Sequence, residues 1–195
     1  MWEVLLLILP ALPLALGLNL FNVGPSSAIA FVILCRTPTW SGARTSRNVA
    51  FEEAYVSEIA EVGAVPIAGA EDIFKYLRSR GVAVALTTGF SRSTLDTLLI
   101  ELGWKDLIDL SITPSEAGRG RPHPDMLNMA VEVLGITKPE HVIVLGDTAS
   151  DMQAAVAFGA GQAIGVLTGA HDEHRLHDAG ATSVINSVAD LKSLI

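Results

Sequence analysis

Three short stretches combine residue types and spacing that chemistry would use. The first is Gly146-Asp147-Thr148-Ala149-Ser150-Asp151, in which two carboxylates lie four residues apart behind a glycine. If a strand ends at Gly146 and a helix begins just beyond it, Asp147 and Asp151 converge on one point. Two oxygen donors there suit Mg2+, which takes few carboxylates and keeps several waters. The alternative is Asp147 as a helix cap and Asp151 as a solvated residue of the first turn, favoured by the helix dipole. The second stretch is Thr87-Thr88-Gly89. A hydroxyl, backbone N–H groups and the positive end of a helix form a phosphate cradle; the alternative is a cap and a turn without a ligand. The third is Arg119-Gly120-Arg121-Pro122-His123-Pro124, where a cation would bridge a phosphate and a carboxylate, or else face solvent.

Each stretch needs an element to position it. Residues 82–88, 108–113, 141–146, 163–167 and 183–185 read as strands, most of them continuous apolar runs. Residues 51–62, 70–80, 91–102, 124–134, 149–158 and 188–194 read as helices. Their punctuation is consistent: Ser91 is a candidate N-cap, Pro124 opens one helix, and Gly81, Gly103 and Gly135 close others. Strands alternating with helices of this length imply βαβ units and a parallel sheet covered on both faces. In such sheets ligands bind beyond the carboxyl ends of the strands, which is where all three stretches fall.

Composition bounds the rest. The chain has 195 residues, half of them hydrophobic, and a net charge of -8. That charge argues against a nucleic-acid partner, which would demand clustered Lys and Arg. The single cysteine, Cys35, permits no internal disulfide. Residues 1–50 are different in kind from residues 51–195, holding one acid (Glu3) and three arginines. Residues 4–21 are long and apolar enough to suggest a membrane or signal segment. Against that stand Glu3 before the run and Pro10 and Pro13 within it. A buried strand-and-turn segment is the alternative, as is an N-terminus that is not the natural one. The expected compartment is the cytoplasm, with membrane association through residues 4–21 as the second reading.

In order and spacing, PIAGAEDIFKYLRSRGVAVALTTGF, GRPHPDML, VLGDTASDMQAA and GVLTGAH resemble the haloacid dehalogenase (HAD) superfamily. The likeness covers about residues 51–195 and is nearest to its phosphonatase-like and phosphoglycolate-phosphatase-like branch. It implies an α/β, Rossmann-like three-layer parallel sheet and Mg2+-dependent hydrolysis of a small phosphorylated or phosphonate metabolite. By that likeness Thr88 and Gly89 would hold the phosphoryl group, and Arg121 would neutralise phosphate and nucleophile. Asp147 would bind Mg2+, with Asp151 as a further ligand or a partner that orients the site.

The chain departs from the family at its start. The family's nucleophile is an aspartate at the end of the first strand, followed three residues on by glycine, and its carboxylate attacks phosphorus. No aspartate precedes Asp72 here. Most of the helical cap that follows that motif is missing as well. Residues 1–50 therefore read as a replacement, with the first strand missing or supplied by Ile29 to Leu34 (IAFVIL), which ends in Cys35-Arg36. Cys35 there is either a thiol nucleophile or an inert buried residue. Three functions compete: a Mg2+-dependent phosphohydrolase impaired in this chain, a silent module that binds Mg2+ and phosphate or a protein partner, and a membrane-anchored version of either. Two other patterns carry no function. Residues 159–165 have the glycines of a dinucleotide loop in the wrong place, after a helix and before a strand. His171, His174 and His177 read as a solvated surface, although His171 and His174 would share one helix face.

Overall fold

Apolar runs long enough to cross a sheet, separated by helices that glycines close, fold into one sheet of parallel strands. The computed structural model describes residues 4–7, 29–34 and 46–195. In chain order the elements are β1 (Val4–Leu7), β2 (Ile29–Leu34), α1 (Ser46–Val62), α2 (Ala70–Ser79), β3 (Ala83–Thr88), α3 (Arg92–Glu101), β4 (Leu110–Ile112) and α4 (Pro114–Ala117). There follow α5 (Asp125–Val133), β5 (Val142–Gly146), α6 (Ala149–Phe158), β6 (Gln162–Val166), α7 (Glu173–Asp178) and β7 (Ser183–Ile185). Short 3-10 turns precede β5 and close the chain, at Pro139–His141 and Val188–Ser193.

The strand order is β4-β3-β2-β5-β6-β7, all parallel, with β1 added antiparallel to β2. The order reverses at β2. Strands β3 and β4 build outward on one side of it, and β5, β6 and β7 on the other. Right-handed crossovers then put α2 and α3 on one face and α5, α6 and α7 on the other. This is the expected three-layer α/β architecture. The expected alternative for the first strand is also present: Ile29–Leu34 lies in the central slot. Its register joins Leu34 to Thr88 on one side and Val32 to Leu145 on the other.

Near the N-terminus, Val4–Leu7 is a strand pairing with β2, while the rest of the apolar stretch, residues 8–28, lies outside the described residues, as do Cys35 and Arg36. No helix among the described residues is long and apolar enough to cross a membrane. Elsewhere the differences from the sequence reading are local. Pro124 stands at the N-cap of α5, one position earlier than expected. The final helix is 3-10. Helices α4 and α7 are short, and the charged HDEHRLHD segment hid the second of them.

The core forms where the sheet meets its helices. All five residues of β5 are buried, and so are Ile73, Phe74 and Leu77 along one stripe of α2. Phe74 meets Trp104 edge to face with ring centres 4.9 Å apart, and the Trp104 indole N–H donates to Glu71 at 3.1 Å. That hydrogen bond makes burial of the indole affordable. Helix α1 sits apart from this core, on a small cluster of Ile59, Phe90 and Leu98, with Tyr55 stacked on Phe90. Because Phe74 is fully buried against Trp104, Phe74→Ala is expected to cost about 3–5 kcal/mol. Urea unfolding followed by tryptophan fluorescence measures this; a loss under about 1 kcal/mol would remove Phe74 from the centre of the core.

Candidate active site

The three chemical stretches all reach the same edge of the sheet, because each follows the carboxyl end of a strand. Thr88 ends β3, Asp147 follows β5, and the Arg121 loop follows β4 and α4. Strand β2 separates the first two, at the point where the strand order reverses. Two residues beyond the Val32–Leu145 pair, the register brings Leu34 level with Asp147, and Leu34 itself is paired with Thr88. The crevice over a reversal of this kind is the usual ligand site of an open parallel sheet.

At the end of β5 the two aspartates play different parts. The N-cap of α6 is Thr148, whose hydroxyl accepts from Asp151 N–H at 3.4 Å. Asp151 completes a capping box by accepting at one oxygen from Thr148 N–H at 2.9 Å and from the Thr148 hydroxyl at 2.7 Å. Its other oxygen accepts from the Arg121 guanidinium. The reading of Asp151 as a solvated residue does not survive: it is wholly buried, with both oxygens engaged. Gly146 makes this possible, since a Cβ there would lie 2.3 Å from the Asp151 Cβ.

Asp147 is the less satisfied of the pair. One oxygen accepts from Ala170 N–H at 3.0 Å, and the other accepts no hydrogen bond from another of the described residues. Burial pushes its carboxyl up to about 6, with the Asp151 charge adding to the rise and Arg121 partly offsetting it. Two carboxylates thus share one guanidinium in a dry place. That excess of negative charge fits a cation, and one open carboxylate oxygen fits Mg2+, whose other positions are commonly water and phosphate oxygens. Among the described residues no cluster of three or more His, Cys, Asp or Glu forms a ready-made cage. Asp147 would hold the ion directly, while Asp151 holds Arg121 and the start of α6.

Across β2, Thr88 is fully buried and its hydroxyl oxygen accepts from Phe90 N–H at 3.2 Å, which leaves its proton to donate. Gly89 follows it into the turn. The next donors are already taken. Glu52 of α1 accepts from Ser91 N–H at 3.2 Å and from the Thr94 hydroxyl at 2.6 Å, so a carboxylate serves the positive end of α3. Ser91 is the N-cap, as expected. The loop bearing Arg121 is fixed from α3 as well: Arg92 reaches Glu116 of α4 with paired contacts of 3.0 and 2.7 Å. Those hydrogen bonds hold the Glu116 carboxyl below its ordinary range. Arg119 pairs outward with Asp125. The structure therefore gathers Arg121, Asp147 and Asp151, sets Thr88 and Gly89 at the same sheet edge, and leaves Arg119 aside.

One contributor was given no role in the sequence reading. The segment 167–171 after β6 also lies at a carboxyl strand end and wraps Asp147 through Gly169, Ala170 and His171. The rule that directed attention to three strand ends applied equally to this fourth one. His174 and His177 do lie on the exposed surface, paired with Asp178 and Glu173. His171 does not share their helix.

Comparison with known proteins fits this geometry. A family model described as haloacid dehalogenase-like hydrolase matches residues 34–159, beginning at the last residue of β2. The chain belongs to that family. Phosphonoacetaldehyde hydrolase of Bacillus cytotoxicus is 32% identical over 125 residues, 63% of this chain and 46% of that protein. The chain thus spans about half the length of the curated relatives it matches. A HAD-family hydrolase of Deinococcus radiodurans, solved with bound phosphate and sodium, is 32% identical with a TM-score of 0.59, over 66% of this chain and 58% of that one. A phosphonoacetaldehyde hydrolase-like protein of Oleispira antarctica shares the fold, with a TM-score of 0.65 at 23% identity over 78% of this chain and 65% of that one.

The Asp147 carboxyl gives this HAD member a pH signature. In the unfolded chain it titrates near its ordinary value of about 4. Because the folded value is the higher, ionised Asp147 weakens the metal-free fold. The penalty is absent below about pH 4, grows as pH rises to about 6, and reaches about 2–3 kcal/mol above that. Asp147→Asn is therefore expected to melt higher than the unsubstituted protein at pH 7.5 in chelator, with the gap closing towards pH 4. Equal melting temperatures at pH 7.5 would show that Asp147 is not strained.

Proposed function

We propose that this chain carries the phosphate- and Mg2+-binding part of a HAD-type phosphohydrolase, and that its hydrolytic rate is strongly impaired. The ligand class is a small phosphorylated or phosphonate metabolite, handled in the cytoplasm without nucleic acid. The observation that supports binding is the buried pair Asp147 and Asp151 with a single guanidinium, opposite the Thr88-Gly89 turn. Thr88 would donate its hydroxyl to a phosphoryl oxygen, with the Gly89 backbone beside it. Arg121 would offset phosphate charge while staying fixed by Asp151. Mg2+ on Asp147 would supply charge neutralisation at the phosphoryl group. The phosphonoacetaldehyde hydrolase relatives, and a relative solved with phosphate and sodium, favour this ligand class.

Impairment follows from what stands at the end of β2. The central strand supplies apolar residues through Leu34, and the sequence then continues Cys35-Arg36 without an aspartate. Preorganised charge without a nucleophile retains binding and only a small part of the rate. The competing reading, an intact phosphatase using another nucleophile, makes a different forecast. Mg2+ with inorganic phosphate at about 100 times Kd is expected to stabilise the protein by about 2.7 kcal/mol. Asp147→Asn should lose that gain, and turnover of phosphate monoesters should fall at least about a thousandfold below ordinary HAD rates. Calorimetric melting and a phosphate-release assay check both. No ligand-dependent stabilisation would sink the binding site; brisk Mg2+-dependent turnover would sink the impairment.

A further inference from the structure

The turn that follows β6 is tied down at several points, and one of its side chains looks inward. At its start Leu167 N–H donates to Ile185 of β7 at 3.0 Å, and at its end Asp172 caps α7 by accepting from Arg175 N–H at 2.9 Å. Between these anchors the turn closes over Asp147. His171 N–H donates to the Asp147 backbone carbonyl at 3.2 Å, and Ala170 N–H donates to a side-chain oxygen of Asp147 at 3.0 Å. Gly169 lies so close that a Cβ on it would fall 2.1 Å from the Asp147 carboxylate. The His171 ring then crosses to α6, where Nδ1 accepts from Ala149 N–H at 2.8 Å. That contact requires Nδ1 to be unprotonated.

We propose that His171 is the positioning residue of Asp147. By accepting from Ala149 N–H, its ring clamps the turn against α6, keeps Ala170 N–H on one carboxylate oxygen, and leaves the other oxygen available to a cation. The division of labour has a physical logic. Ala149 N–H is one of the helix-end donors that lack a partner within α6. Thr148 and Asp151 satisfy each other, so a third acceptor is needed, and it comes from the very turn whose backbone orients Asp147. Helix end and metal carboxylate are thereby fastened by one side chain. Groups that orient a metal carboxylate commonly change affinity by about 10–100-fold when removed.

This rests on the reading that Asp147 holds Mg2+, so the test has one arm that needs no metal. In chelator, amide exchange at Ala170 reports whether its N–H stays on the carboxylate. His171→Ala should accelerate it at least about tenfold relative to the global opening rate. His171→Asn, whose Oδ1 takes the place of Nδ1 as acceptor, should restore it. In the second arm, calorimetric titration with Mg2+ in the presence of inorganic phosphate should show about tenfold weaker binding for His171→Ala, and near-normal binding for His171→Asn. A residue that only caps α6 would lower the melting temperature while leaving both readouts unchanged in the folded protein, and that result overturns the proposal. Unchanged Ala170 exchange in His171→Ala overturns it whatever the metal does. Failure of the unsubstituted protein to bind Mg2+, with Ala170 exchange responding as stated, would instead overturn the metal assignment and leave His171 as the orienting residue of Asp147.

Discussion

The arrangement at the carboxyl end of β5 turns on charge held where water is scarce. Two aspartates and one arginine share that space, and the sheet around them is apolar. Asp151 is fully compensated, by Arg121 on one oxygen and Thr148 on the other. Removing one partner of a buried pair of this kind ordinarily costs about 3–5 kcal/mol, because the remaining charge is left unmatched. Asp147 receives backbone N–H groups and the distant influence of the same guanidinium, while burial and the neighbouring Asp151 charge push its carboxyl up. Much of the local sequence serves this imbalance. Gly146 and Gly169 give up side chains so that the carboxylates can stand where they do, and the Arg92–Glu116 pair fixes α4, from which the Arg121 loop departs.

The second constraint is topological. A parallel sheet whose order reverses at one strand opens a crevice above that strand, and here the strand is β2. Its backbone completes the sheet, satisfying edges of β3 and β5 that would otherwise be exposed. Its side of the chemistry is different. In the family, the residue after this strand is the attacking carboxylate, whereas this sequence continues with Cys35. On the proposed reading the first strand would keep its backbone role without its chemical one, and binding and turnover would separate.

The fold was legible because its signals were redundant. The apolar runs at 82–88 and 141–146, and the glycines at 81, 103 and 135, marked β3, β5 and three helix ends to within a residue or two. Ser91 announced its cap. Short elements were lost where polar sequence masked them, as in α7, or where proline marked the wrong position by one, as at Pro124. The site was legible in its strand-end motifs, yet the roles within GDxxxD were not. Spacing alone makes Asp147 and Asp151 equivalent, and only the capping box and Arg121 distinguish them. His171 was hidden for a related reason. Its neighbours in sequence, His174 and His177, are solvated, and nothing local shows that the ring crosses to a helix that starts 22 positions earlier.

The most direct test of this account is a crystal structure of the protein grown with Mg2+ and inorganic phosphate. The arrangement described here predicts the cation on the open oxygen of Asp147, with Asp151 still paired to Arg121. It predicts the phosphate within hydrogen-bonding reach of the Thr88 hydroxyl, on the cation's side of β2. A cation bridging both aspartates with Arg121 displaced, or phosphate bound away from the Thr88-Gly89 turn, would contradict it.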